Sequence, residues 1–237
     1  AALAADQPTQ GSLVPFNPVR RIVAQRLAES MRTVPHFYLS AQIDMTGMRE
    51  LARRIEPDVV CAAGSKPGVT VLIAYIVARV LGGHPRLNAS VEGEAMRTHD
   101  AAHIGIAIER DGDLVVPVLR DAGTRTLVEL ARDFAQLRDA VRDSSIKPAQ
   151  MRGGTFTLSN LGMYDVDAFT AIINPPECAI LAIGRTQDAP VVRDGQVVVR
   201  PIATFTLSSD HRIVDGVAAA RFMSALRQAI EHPDVVP

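Results

Sequence analysis

Apolar positions along the chain switch between a helical and a strand period, and the switches divide it into elements. Ile22, Val23, Leu27 and Met31 recur at helical spacing behind Asn17-Pro18, a cap followed by proline at the first helical position. A helix is therefore predicted to about Arg32, where Pro35 stops it. Residues 36–45, HFYLSAQIDM, mix aromatic and aliphatic side chains with polar ones and predict a strand. Thr46 reads as the N-cap of a helix through about Glu56, and residues 57–68, with Gly, Pro and Ser, as a loop. Thr70 then caps VLIAYIVARVL, a run apolar nearly all round and so expected to be buried.

Further strands are predicted at 87–91, 96–98, 103–109 and 114–119, with Asp111-Gly112 turning the last two into a hairpin. A long amphipathic helix follows over 126–142. Strands at 155–159, 178–183, 191–192, 197–200 and 203–208 complete the set, with Asp194-Gly195 at a tight turn and a closing helix over 218–230. Helices and strands alternate in mixed order and hairpins imply antiparallel pairs, so the fold class is α/β with a mixed sheet, or α+β. No internal repeat is visible.

With 237 residues, 47% of them hydrophobic, the chain can bury a core as one large domain or two fused halves. Its 25 basic and 26 acidic side chains nearly cancel, which leaves no overall footprint for nucleic acid or a membrane surface. Cys61 and Cys178 cannot make a disulfide framework, and no run reaches the roughly 18 to 20 apolar residues of a membrane span. A reducing, cytoplasmic location is expected, or the mitochondrial matrix in a eukaryote. Residues 1–11 have the Ala/Pro/Gln/Gly composition of an interdomain linker and lack a secretory signal's pattern, leaving 12–237 as the domain. Asn88-Ala89-Ser90 matches a glycosylation acceptor that arises readily by chance.

Chemistry concentrates in Ser208-Ser209-Asp210-His211-Arg212-Ile213-Val214-Asp215-Gly216, where a strand ends in ionisable residues before a helix begins. Imidazole titrates nearest neutrality, so a histidine such as His211 can take a proton from a thiol, which at pH 7 is only a few per cent ionised. Aspartates at minus one and plus four are equally the pattern of an ion pair at a helix start. In Gly153-Gly154-Thr155-Phe156-Thr157-Leu158-Ser159-Asn160-Leu161-Gly162, Ser159 could donate to a developing oxyanion, or could simply be a turn residue. His36, His84, His99, His103 and His232 have no partners at metal-ligand spacing, so no metal is expected, and no phosphate-binding glycine loop occurs. Cys61 and Cys178 have no histidine close in sequence and read as structural.

Together these segments resemble the catalytic domain of the dihydrolipoamide acyltransferases, the core subunits of 2-oxo acid dehydrogenase complexes. DHRIVDG at 210–216 matches the DHRxxDG signature, and NPVRRIVAQRLAESM at 17–31, LNAS at 87–90, HIGIAI at 103–108, residues 114–117 and 153–162 continue the match across nearly the whole chain. HxxxDG alone is shared with chloramphenicol acetyltransferase and peptide-synthetase condensation domains. AIINPPE at 171–177 is similar to the acetyl-specific, pyruvate dehydrogenase branch.

The resemblance implies a chloramphenicol acetyltransferase-like sandwich, a mixed sheet flanked by helices. It implies that His211 deprotonates coenzyme A, that Ser159 hydrogen-bonds the oxyanion, and that Asp215 organises the loop by an ion pair, with Arg20 or Arg21 as candidates. Family members carry Asp or Asn at this last position. For coenzyme A the match points to Ser159, Asn160 and Gly184, and more loosely to Thr70, Glu109 and Arg138. Neither a lipoyl-bearing lysine motif nor a subunit-binding domain is present in the sequence, so the lipoyl group must come from another domain or chain. The implied partners are a lipoyl domain, the decarboxylase and dihydrolipoyl dehydrogenase components, and two further copies in a homotrimer with the active site between subunits. The C-terminal HPDVVP departs from the family's leucine-rich ending, which bears on assembly beyond the trimer. Two rivals stand beside this: a core-like scaffold without catalysis, and an O-acetyltransferase acting on a small hydroxylated acceptor.

Overall fold

The computed structural model describes residues 11–64, 66–110 and 112–235; nearly all of the expected linker lies outside them. In chain order the elements are α1 (Pro18–Thr33), β1 (His36–Asp44), α2 (Thr46–Ala63), α3 (Val69–Gly82), β2 (Ala89–Glu92), β3 (Ala95–Thr98) and β4 (Ile104–Arg110). They continue with β5 (Asp113–Val115), β6 (Val118–Leu119), α4 (Leu127–Arg142), β7 (Phe156–Asn160), β8 (Ala179–Arg193), β9 (Gln196–Asp210) and α5 (Gly216–Glu231).

The main sheet runs β1-β9-β8-β7-β4-β5, with β6 also paired to β4. β7 lies parallel to both β4 and β8, and the other pairs are antiparallel, so the sheet is mixed as expected. Alternation gives each strand one face toward the helices: Ile104 and Ile106, Phe156 and Leu158, Leu181 and Ile183, and Phe205 and Leu207 all join the main core with α3 and α5. The opposite face carries Gly105 and Ala107, Thr157 and Ser159, Ile180 and Ala182, and Thr206 and Ser208. It is covered at β8 by a small separate cluster of Val34, Ile173 and Ile180.

Three sequence expectations are corrected. α2 continues through Pro57 to a left-handed Gly64, because the apolar stripe Met48, Leu51, Ile55, Val59 continues past a proline that sits on the exposed face. α3 starts from Gly68 with no side-chain cap, which frees the Thr70 hydroxyl for another partner. The strand expected at 114–119 is two pieces, since Pro117 has no N–H for the ladder; its carbonyl instead accepts from Ile106 N at 2.9 Å.

The short strands expected after residue 178 merge into β8 and β9, each 15 residues long, joined by Asp194 and Gly195 at φ 51° and 76°. Two successive positive φ values are what a two-residue hairpin turn requires. β1 pairs β9 only from Ile202 to Asp210, and β7 reaches β8 only to Ile183, so the distal hairpin continues as a two-stranded ribbon, tied back by ion pairs of Arg193 and Arg200 with Asp44 and of Asp188 with Arg49.

Candidate active site

The end of β9 is built as a rigid turn. Asp210, almost fully buried, accepts Arg212 Nε on Oδ1 at 2.9 Å and Arg212 Nη2 on Oδ2 at 2.6 Å, and its carbonyl receives Ile213 N and Val214 N. His211 between them donates its backbone N–H to Pro35 O at 2.9 Å, and its ring stands edge-on to Phe37 at 5.1 Å between centroids. The imidazole is thereby left exposed at the mouth of a strand-to-helix junction.

Asp215 caps α5, accepting Ala218 N at 2.8 Å on one oxygen and Arg86 Nη1 at 3.1 Å on the other. The backbone bond first, and the Arg86 cation after it, hold its carboxyl below the usual range. The ion pair expected with Arg20 or Arg21 is therefore corrected within the chain: Arg20 is taken by Asp113 at 2.9 Å, and Arg86 does the work at Asp215.

Ser159 stands half-buried on β7 between Ala107 of β4 and Ala182 of β8. Next to it, Asn160 donates Nδ2 to the Thr70 hydroxyl at 3.1 Å and accepts Gly162 N at 2.9 Å. Gly184 completes the group, and a Cβ there would lie 2.0 Å from Asp167 O, so the backbone packing requires glycine. The fold thus gathers Thr70, Ser159, Asn160 and Gly184. Glu109 lies two residues beyond Ala107 on β4 and is engaged by Gly112 N at 2.7 Å. Arg138 is not gathered: it is exposed on α4, beside Asp139 at 3.6 Å.

Nor does one chain bring Ser159 to His211. Register sets Ser159 level with Thr206, four residues short of Asp210 and two strands away, a separation of about 16 Å between those two Cα atoms from the usual strand spacings, and His211 lies one residue further on.

The sequence reading missed a buried cluster at the other end of β7. Glu177 accepts the Thr157 hydroxyl on Oε2 at 2.5 Å and Asn174 Nδ2 on Oε1 at 3.2 Å, and Gly154 has no room for a Cβ beside Oε1. Burial pushes its carboxyl up to about 7 against those two hydrogen bonds and the nearby Arg26 cation. The signal that could have found it is an acidic residue placed directly ahead of an apolar strand, where a core side chain is expected. Cys178, the next residue, is buried, which pushes its thiol up to about 12, and Cys61 is exposed and free.

In architecture the domain is of the kind seen in chloramphenicol acetyltransferase, with a TM-score of 0.56 over 90% of this chain and 94% of that one at 13% identity, a likeness of fold. The family is more specific: residues 8–236 match the model of the 2-oxoacid dehydrogenases acyltransferase (catalytic domain), and the chain belongs to that family. It is 37% identical over 226 residues to the dihydrolipoyllysine-residue acetyltransferase component of the pyruvate dehydrogenase complex of Rickettsia felis, covering 95% of this chain and 55% of that protein. The chain spans about half the length of the curated relatives it matches. Among solved structures, dihydrolipoamide acetyltransferase of Azotobacter vinelandii, studied for the role of a serine, a histidine and an asparagine in its catalytic mechanism, aligns with a TM-score of 0.91. That match has 30% identity and covers 99% of both chains. The cubic core of the pyruvate dehydrogenase multienzyme complex aligns with the same score, identity and coverage.

Proposed function

We propose that this chain is the transferase domain of a longer subunit and moves an acetyl group between a dihydrolipoyl thiol and coenzyme A. The observation that carries the proposal is His211, exposed on a rigid turn, in a chain whose Ser159, His211 and Asp215 have the same mutual spacing as the serine, histidine and asparagine studied in the Azotobacter enzyme. His211 takes the proton of the coenzyme A thiol, and the thiolate sulfur attacks the carbonyl carbon of the acetyl-lipoyl thioester. The carbonyl electron pair moves onto oxygen, where the Ser159 hydroxyl donates to it. Collapse of this intermediate breaks the bond to the lipoyl sulfur, which receives the proton held by His211.

Because Ser159 of one chain lies about 16 Å from Asp210, with His211 a residue further on, the working pair comes from two copies, which supports a homotrimer with shared sites. Its partners in this reading are a lipoyl domain and the decarboxylase and dihydrolipoyl dehydrogenase components. Two free cysteines are compatible with a reducing location, the cytoplasm or a mitochondrial matrix.

His211→Ala and Ser159→Ala chains, each assayed for acetyl transfer from acetyl-CoA to dihydrolipoamide, should be depressed, the former about 100- to 10,000-fold. Mixed by co-refolding in equal amounts, they should recover about a quarter of the parent rate, since a random trimer restores that share of interfaces. An inactive parent chain would reject the activity. An active parent with no recovery on mixing would reject the shared site.

A further inference from the structure

Residues 171–177 touch β7 directly and reach the turn at the end of β9 through the start of β1. Toward β7, Glu177 holds the hydroxyl of Thr157, which projects on the same face of the strand as Ser159 two residues on. Asn174 ties its own side chain to Glu177 Oε1 and its carbonyl to Glu177 N at 3.1 Å. Toward β9, Ile173 N donates to His36 Nε2 at 3.1 Å. His36 Nδ1 lies 2.8 Å from Val34 O, an acceptor, so Nδ1 carries the proton and Nε2 is the free acceptor. The residue before His36, Pro35, offers the carbonyl that holds His211 N. α1 fastens the same segment from outside, through Ser30 Oγ on Ile173 O at 2.7 Å and Arg26 on Pro175 O.

A carboxyl buried among such neighbours costs stability that an apolar side chain of the same size would not. Stability therefore does not explain its presence, while its partners do.

We propose that Glu177 is a positioning residue for the transferase site: by clamping Thr157 to the 171–177 segment it fixes where β7 presents Ser159 and, through His36 and Pro35, where the turn presents His211, each to its counterpart in a second copy. The proposal rests on the acetyl-transfer reading for its kinetic consequence, though its geometric part can be read without it.

The test uses Glu177→Leu, Glu177→Gln and Thr157→Val in the full chain, with melting temperatures and kcat and KM for acetyl-CoA. Glu177→Leu and Thr157→Val should melt near the parent and lose about 10- to 100-fold in kcat, as a displacement near 1 Å does, with KM little changed. Glu177→Gln keeps an acceptor for the Thr157 hydroxyl and should recover most of kcat. A folded Glu177→Leu chain with the parent's kcat, or a Glu177→Gln chain as damaged as the leucine variant, overturns the proposal. If the leucine variant does not fold, an unchanged kcat in Thr157→Val does so instead.

A second measurement separates this from failure of the activity itself. With Cys61→Ser and Ser159→Cys introduced, the rate of iodoacetamide attack at position 159 should change several-fold when Glu177→Leu is added. An unchanged rate in a chain without transferase activity overturns the clamp, and a changed rate supports it whatever the reaction proves to be.

Discussion

Asp210 and Arg212 grip each other around His211: the aspartate is nearly fully buried, and three arginine-to-carboxylate hydrogen bonds of 2.6 to 3.1 Å close the turn over the intervening residue. The carboxylate beside the histidine is thus committed to the guanidinium and is not a triad partner for the imidazole.

Arg212→Ala leaves that buried carboxylate without its cation. Since the arginine is itself partly exposed, a loss of about 2 kcal/mol is expected, with transfer activity falling because the turn loosens. Arg212→Lys should recover only part of it, lacking the planar fork. Urea unfolding and the acetyl-transfer assay on the two variants check this; equal stability to the parent would show that the pair is idle.

Asp215 caps α5 through a side-chain oxygen, a task asparagine performs equally well. Asp215→Asn should keep both stability and most of the activity despite losing the charge opposite Arg86, whereas Asp215→Ala should cost about 1 kcal/mol. A severe defect in the asparagine variant would mean that the charge, not the cap, is what the site requires.

Glu177 makes stability depend on pH. Its carboxyl titrates near 7 in the fold against an ordinary value of 4.5, so the folded chain holds the proton more tightly than the unfolded one. The contribution is full below pH 4.5 and is lost as pH rises through about 7, reaching about 3 kcal/mol. Glu177→Gln should lack that slope and be the more stable chain at pH 8. Urea midpoints from pH 5 to pH 8 at one protein concentration measure it, and parallel curves for the two chains would contradict it.

Much of this architecture is written in local patterns. The Asn17-Pro18 start of α1, the Thr126–Glu129 capping box of α4 and the Asp194-Gly195 turn each follow from two or three neighbouring residues. α2 outran its sequence signal because a continuing apolar stripe outweighs one exposed proline, and β8 and β9 did so because pairing carries each across Pro190 and Pro201. Ser159 was legible as a candidate from its place at a strand end, and Asn160 only through the family resemblance. Arg86 at Asp215 and Thr157 at Glu177 were not, because each partner is brought in from a distant segment that only the tertiary fold juxtaposes. Arg138 shows the converse: its residue type suits a phosphate, but its helix leaves it exposed beside Asp139.

The two-stranded ribbon at the far end of β8 and β9 has no third strand to hold its register. Side chains there alternate between two faces, so adding or removing residues in matched pairs, two on each strand, preserves which face each valine occupies, while a single insertion reverses it. Natural length changes at this tip should therefore come in even steps, and it is where a peptide tag can be grafted at little expense to the sheet below.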